Sequence, residues 1–165
     1  MKTLIVGWGN PFGGDDAVGL LAADAIAEKL VSRGRDDVDV IGTSDGGFRL
    51  AERTLGYDRV LVLDARVSEP ACAVDSSEEG IAIRRIAPRE LSRSNHPTRH
   101  DGTLAEALCS LAALWRDGLP QEAVLMSVPI VPPSEWSEEM SDGAAAAAAL
   151  LAQAALRELE GIEVA

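Results

Sequence analysis

The hydrophobic pattern along the chain alternates between two periods. Lys2 to Val6 form a short aliphatic and β-branched run, Gly7 to Gly14 hold four glycines, an asparagine and a proline, and helical spacing begins at Asp15. This succession predicts strand, loop and helix. Val18, Leu21, Ala22, Ala25, Ile26, Lys29 and Leu30 recur at helical intervals, so the first helix is expected to bury that face and to end near Ser32 to Gly34. Asp37 to Thr43 alternates as a second strand, Ser44-Asp45-Gly46-Gly47 turns the chain, and Phe48, Leu50, Ala51 and Leu55 predict a short helix. Arg59 to Ala65 is apolar without alternation, as expected of a central strand covered on both faces. Ile81 to Ile86 is more amphipathic and belongs nearer an edge. His100-Asp101-Gly102-Thr103 leads into a helix with Leu104, Ala107, Leu108, Leu111 and Trp115 on one face, and Thr103 to Glu106 fits a capping box. Ala123 to Ile130 is the last strand. A terminal helix then runs from about Ser141 through an alanine-rich tract to Leu159, packed helix rather than linker because alanine is the best helix former.

Strands separated by helices predict a mainly parallel five-stranded sheet with helices on both faces, a three-layer α/β/α fold in a single domain over residues 1–165. The chain has 165 residues, 47% of them hydrophobic, which is enough for one real core. Its 15 basic and 27 acidic residues give a formal charge of −12, a balance that repels nucleic acid and anionic membrane surfaces. No apolar run approaches a membrane span and no signal peptide is visible, so the expectation is a soluble protein of the cytoplasm. Cys72 and Cys109 share no CxxC spacing and are expected to be reduced, structural thiols.

In parallel sheets, ligands gather outside the carboxyl ends of the strands. Asn10 and Asp16 follow the first strand, Asp45 follows the second and Asp64 closes the third, so four polar residues are expected along one edge. Gly7-Trp8-Gly9 is a poor dinucleotide fingerprint, because no third glycine follows at the right spacing and the helix opens with Asp15 and Asp16, which repel phosphate. Those carboxylates favour a cation, or cap the helix on which they lie. His100 stands just before a helix whose N-terminus disfavours its protonated form, which makes it a better ligand candidate than His96. Two carboxylates and an imidazole suit a divalent transition ion better than calcium and leave coordination positions for a substrate to complete. There is no GxSxG or HExxH motif. A paired-carboxylate hydrolase built on Asp16 and Asp64 is the alternative use of the same residues, and Asn10, Asp45 and Gly46 are the candidates for substrate contact.

GWGNPFGGDDAVG at the N-terminus, the Asp45-Gly46-Gly47 turn, the VLVLDA strand and the His100-Asp101-Gly102-Thr103-Leu104 helix entrance, in this order, resemble the nickel-iron hydrogenase maturation endopeptidases. The resemblance spans essentially the whole chain. It implies a phosphorylase/hydrolase-like α/β fold and a metal-recognition site carried onto Asp16, Asp64 and His100, with Asp16 where several relatives have glutamate. The implied reaction is removal of a C-terminal extension from the hydrogenase large-subunit precursor once nickel is in place, by a monomer with no permanently bound cofactor. The nickel belongs to the substrate, and zinc or cadmium is expected to substitute for it. The opening LIVGWGNPFGGDDAVG is also similar to that of bacterial peptidyl-tRNA hydrolases. Those enzymes carry a histidine in the following segment, where this chain has Asp15 and Asp16, and their polyanionic substrate suits a chain of charge −12 poorly. A non-catalytic relative that binds the precursor without cutting it is a third reading.

Overall fold

A computed structural model describes residues 1–67, 80–88, 104, 107, 108, 111, 112, 116–130 and 138–161. The strands are β1 (Thr3–Trp8), β2 (Val38–Thr43), β3 (Arg59–Val67), β4 (Ala82–Ile86) and β5 (Glu122–Ile130). They form one five-stranded sheet in the order β2-β1-β3-β5-β4. The first four strands in that order run parallel, and β4 closes the edge antiparallel to β5. The edge position of β4 explains its amphipathic sequence, since three of its five residues are exposed.

Helices cover both faces. On one lie α1 (Val18–Arg33) and α3 (Asp142–Leu159), whose apolar sides join Ile5, Leu61, Leu63, Val124 and Met126 in one core. On the other lie α2 (Gly47–Arg53) and the helical residues Leu104, Ala107, Leu108, Leu111 and Ala112, packed on Leu4, Val6, Val60 and Val62. Alternation along β1 and β3 therefore sends successive side chains into opposite cores, which is why RVLVLDA is apolar throughout. The alanine tract of α3 is buried at Ala144, Ala147, Ala148, Ala152, Ala154 and Ala155. Among the described residues, no helix is long and apolar enough to cross a membrane. Trp115, Cys72, Cys109 and the predicted capping box ends Thr103 and Glu106 lie outside the described residues.

The first helix differs from its sequence pattern. Helical spacing starts at Asp15, but Gly14–Ala17 form a tight 3-10 turn and the α-helix proper begins at Val18. The buried face consists of Val18, Gly19, Ala22, Ala23, Ile26 and Leu30, while Leu21 is 42% exposed and Lys29 is exposed. The reason is distance. A Cβ added to Gly19 falls 2.2 Å from the Leu63 carbonyl oxygen and 2.4 Å from that of Trp8, and one added to Gly7 falls 2.4 Å from the Gly19 carbonyl oxygen and 2.5 Å from the Ala23 Cβ. The helix thus touches the sheet backbone to backbone, and the contact selects small residues over large apolar ones. Strand β3 also runs on to Val67, so Asp64 lies within the strand rather than at its end.

At the amino end of β3 and β5, Glu158 of α3 is only 4% exposed and is engaged by Arg59 and by Arg85, whose Nη1 and Nη2 donate at 2.8 and 2.9 Å. Arg59 also donates to Glu122 at 2.8 Å. Arg85 holds the Glu158 carboxyl below its ordinary range. These charges tie α3 to three strands at the end of the sheet remote from the glycine loop. The helix–sheet contact gives a direct test. Gly19→Ala is expected to lower unfolding stability in urea by about 3 kcal/mol or more, as forced overpacking against backbone does. Gly118→Ala, whose Cβ among the described residues meets nothing nearer than Leu55 Cδ2 at 3.5 Å, is the control and should stay within about 1 kcal/mol of the parent.

Candidate functional site

The site lies where the sheet's winding reverses. From β1 the chain passes through α1 to β2 on one side, whereas β3 lies on the other side of β1, so the carboxyl ends of β1 and β3 flank the switch point at which sheets of this kind bind ligands. The β1–β3 ladder stops at Gly7 and Leu63, which places Asp64 one residue beyond the last paired position. Into that gap comes the glycine loop. Gly14 takes φ +57°, a conformation that favours glycine, and turns the chain into the 3-10 turn, which packs against β3.

The loop is held by its own polar groups. Asp16 Oδ2 accepts the backbone N–H of Asn10 at 3.0 Å, and Asn10 Oδ1 accepts that of Phe12 at 3.0 Å. The backbone adds Gly13 N–H to the Asn10 carbonyl at 3.0 Å and Gly9 N–H to the Thr43 carbonyl at 3.3 Å. Asp15 goes elsewhere: its carboxylate accepts both the backbone N–H and the hydroxyl of Ser141, at 2.8 and 2.9 Å. Neither aspartate caps the helix on which it lies, so the capping expectation is corrected. The glycines of the loop serve close backbone approach: a Cβ on Gly9 would stand 2.2 Å from the Asp16 carbonyl oxygen.

Of the residues expected at this edge, Asp16 and Asp64 come within electrostatic reach of each other. Burial pushes the Asp64 carboxyl up to about 7, the negative charge of Asp16 adds to the rise, and the Ala65 N–H donated to Asp64 Oδ1 at 2.8 Å works against it. A half-buried carboxyl that takes up its proton near neutrality, beside a second carboxylate, is poised either to release that proton to a cation or to exchange it in acid–base chemistry. Asp45 follows β2 as expected, but its carboxylate is taken by Arg53 of α2, at 2.6 and 3.1 Å, which holds it below the usual carboxylate range. Gly46 is the N-cap of α2, with Trp8 Cζ2 3.4 Å from where its Cβ would lie. His100 and His96 lie outside the described residues. Among the described residues, no three His, Cys, Asp or Glu side chains come together as a metal site.

The sequence reading missed two groups. Arg66, two residues beyond Asp64 on β3, donates Nη2 to the Gly80 carbonyl at 3.0 Å, while its buried Nε has no hydrogen-bond partner among the described residues. The second is the partnership of Asp15 with Ser141, for which no local spacing gives a signal. The electrostatics of the pair yield a pH dependence. With its carboxyl pushed up to about 7, Asp64 retains in the folded protein a proton that the unfolded chain loses above about pH 4, so the contribution of this group to stability falls as pH rises from there to about 7 and then levels off. Asp64→Asn abolishes that fall. The variant is expected to exceed the parent by up to about 4 kcal/mol above neutrality, with the gap closing below about pH 4. Urea unfolding of both proteins across that range checks it, and parallel pH profiles would refute the raised Asp64 pKa.

No protein-family model and no curated protein sequence matches the chain. Solved structures do. The chain superposes on the hydrogenase maturating endopeptidase HybD from E. coli with a TM-score of 0.71 at 21% identity, covering 98% of this chain and 93% of that one. It is likewise similar to a hydrogenase 2 maturation peptidase from Thaumarchaeota archaeon SCGC_AB-539-E09, with a TM-score of 0.68 at 22% identity over 99% and 100% of the two chains. For the [NiFe] hydrogenase maturation protease HybD from Thermococcus kodakarensis the TM-score is 0.65 at 24% identity, over 96% and 99%. The three-layer fold with its mostly parallel five-stranded sheet is therefore the fold of these proteins, end to end.

Proposed function

We propose that this protein is a hydrogenase maturation endopeptidase, which removes the C-terminal extension of a nickel-iron hydrogenase large-subunit precursor after nickel insertion. The observation that carries the reading is the approach of Asp16 to the half-buried Asp64, one residue beyond the last β1–β3 ladder position, on a fold shared with structures named as hydrogenase maturation peptidases. In this reading Asp16, Asp64 and His100 are the protein's ligands to the metal held by the precursor, and Asn10, Asp45 and Gly46 border the substrate. Three ligands leave the ion's remaining positions to the precursor, so the metal is part of the substrate rather than a resident cofactor. Binding draws the proton from Asp64, because a coordinating carboxylate must be ionised, and affinity for the ion therefore rises with pH through about 7. Selection of loaded over empty precursor follows from these contacts alone, since only differential affinity shifts an equilibrium.

A second use of the pair is favoured by one observation, the rise of the Asp64 carboxyl to about 7, caused by burial with the charge of Asp16 adding to it. Two neighbouring carboxyls can divide the work of hydrolysis, one taking a proton from water and the other giving a proton to the leaving amide nitrogen. Metal dependence separates the two uses. The metal reading expects nickel-loaded precursor to be cut at least about a hundredfold faster than metal-free precursor, equivalent to about 2.7 kcal/mol. Mass spectrometry of the released C-terminal peptide measures this, and equal rates would leave the acid–base dyad as the working mechanism.

The ligand assignment is tested on the same reaction. His100→Ala and Asp16→Ala are expected to abolish cleavage with folding intact by circular dichroism, while His96→Ala is nearly silent. An inactive His96→Ala beside an active His100→Ala would transfer the third ligand to His96. Release of peptide from a peptidyl-tRNA ester would overturn the protease assignment.

A further inference from the structure

The sequence places two aspartates side by side, and the structure separates their tasks. Asp15 spends both carboxylate oxygens on one residue 126 positions away: Oδ1 accepts the Ser141 backbone N–H at 2.8 Å and Oδ2 accepts the Ser141 hydroxyl at 2.9 Å. Ser141 is the N-cap of α3, and its Oγ accepts the N–H of Ala144 at 3.2 Å. The carboxylate thus also faces the positive end of an 18-residue helix.

We propose that the Asp15–Ser141 clamp sets the orientation of Asp16, making Asp15 a positioning residue of the site. The argument is geometric. Asp15 and Asp16 are consecutive residues of one 3-10 turn, in which neighbouring side chains stand about 120° apart. Two hydrogen bonds donated by one residue, Ser141, to the Asp15 carboxylate fix its direction toward α3, and the turn then directs Asp16 away from α3, where it accepts the Asn10 amide and faces the Asp64 side of β3. The anchor is itself held, because α3 packs along α1 and its C-terminal turn is tied by Glu158 to Arg59 and Arg85. A hydrogen-bonded support of this kind, one residue removed from the group that meets the ligand, keeps that group in place at little expense in conformational freedom.

This inference rests on the reading of Asp16 as a metal-recognition residue, and its test has one readout independent of metal. Asp15→Ala, Asp15→Asn, Ser141→Ala and the Asp15→Ala/Ser141→Ala double variant are compared with the parent by amide hydrogen exchange and by calorimetric titration with cadmium ion. The Asn10 amide reports the place of Asp16 directly, and the Leu61 amide in β3 reports global opening. Asp15→Ala is expected to speed Asn10 exchange relative to Leu61 and to weaken cadmium binding, each by about tenfold or more. Ser141→Ala moves both in the same direction, and the double variant is no worse than Asp15→Ala, as expected for partners in one interaction. Asp15→Asn falls between, since its amide keeps one acceptor oxygen. Equal acceleration of Asn10 and Leu61 would make Asp15 a stability element only and overturn the proposal, as would parental Asn10 exchange in Asp15→Ala. If the parent itself binds no cadmium, the metal reading fails while Asn10 exchange still decides the clamp.

Discussion

The arrangement of this protein depends on one contact, the approach of α1 to the sheet at Gly7 and Gly19. There the helix lies so near β1 and β3 that a single methyl group would overlap the carbonyl oxygens of Trp8 and Leu63. Close-packed interiors do not absorb an intrusion of that kind against backbone. Because the first turn of α1 is pressed onto the end of the β1–β3 ladder, the 3-10 turn before it is brought against β3, and Asp16 is delivered beside Asp64. A larger residue at either glycine would lift the helix and carry Asp16 away with it. The glycine loop thus serves the site by permitting proximity of backbone to backbone, which differs from cradling an anion with its amides.

Charge is handled differently at the two ends of the sheet. At the amino end, Glu158 is buried but satisfied by Arg59 and Arg85, and Arg85 holds its carboxyl low. At the carboxyl end, Asp64 is half-buried, with one backbone donor among the described residues and a like charge nearby, and its carboxyl is pushed up to about 7. The same chemical group is held low in one place and pushed up in the other, because cations balance the burial of the first, while among the described residues burial and a like charge outweigh the one backbone donor at the second. Arg66, with a buried donor lacking a described partner, lies two residues along the same strand.

Much of the architecture was legible in the chain. The unbroken apolar run RVLVLDA could only be a central strand, the amphipathic IAIRRI an edge strand, and the alanine tract a packed helix, because solvent exposure imposes these patterns locally. The convergence of Asp16 and Asp64 also followed from sequence order, since parallel strands joined by helices bring their carboxyl ends together whatever the side chains are. The misreading of Leu21 has a clear origin. Periodicity ranks residues by hydrophobicity, while this interface was selected for smallness, and glycine and alanine carry little weight on that scale.

What the sequence determined by itself was the set of elements, their class of assembly and the edge at which polar residues meet, all consequences of periodicity and chain order. What only the tertiary structure decided was how each carboxylate is used. Asp15 is bound to Ser141, Asp16 to the Asn10 amide, Asp45 to Arg53, and Asp64 is left with its raised pKa. Aspartate is one letter in all four places. Its state is set by burial and by partners that are near in space, and Asp15 and Ser141 stand 126 positions apart in the chain, beyond the reach of any local pattern.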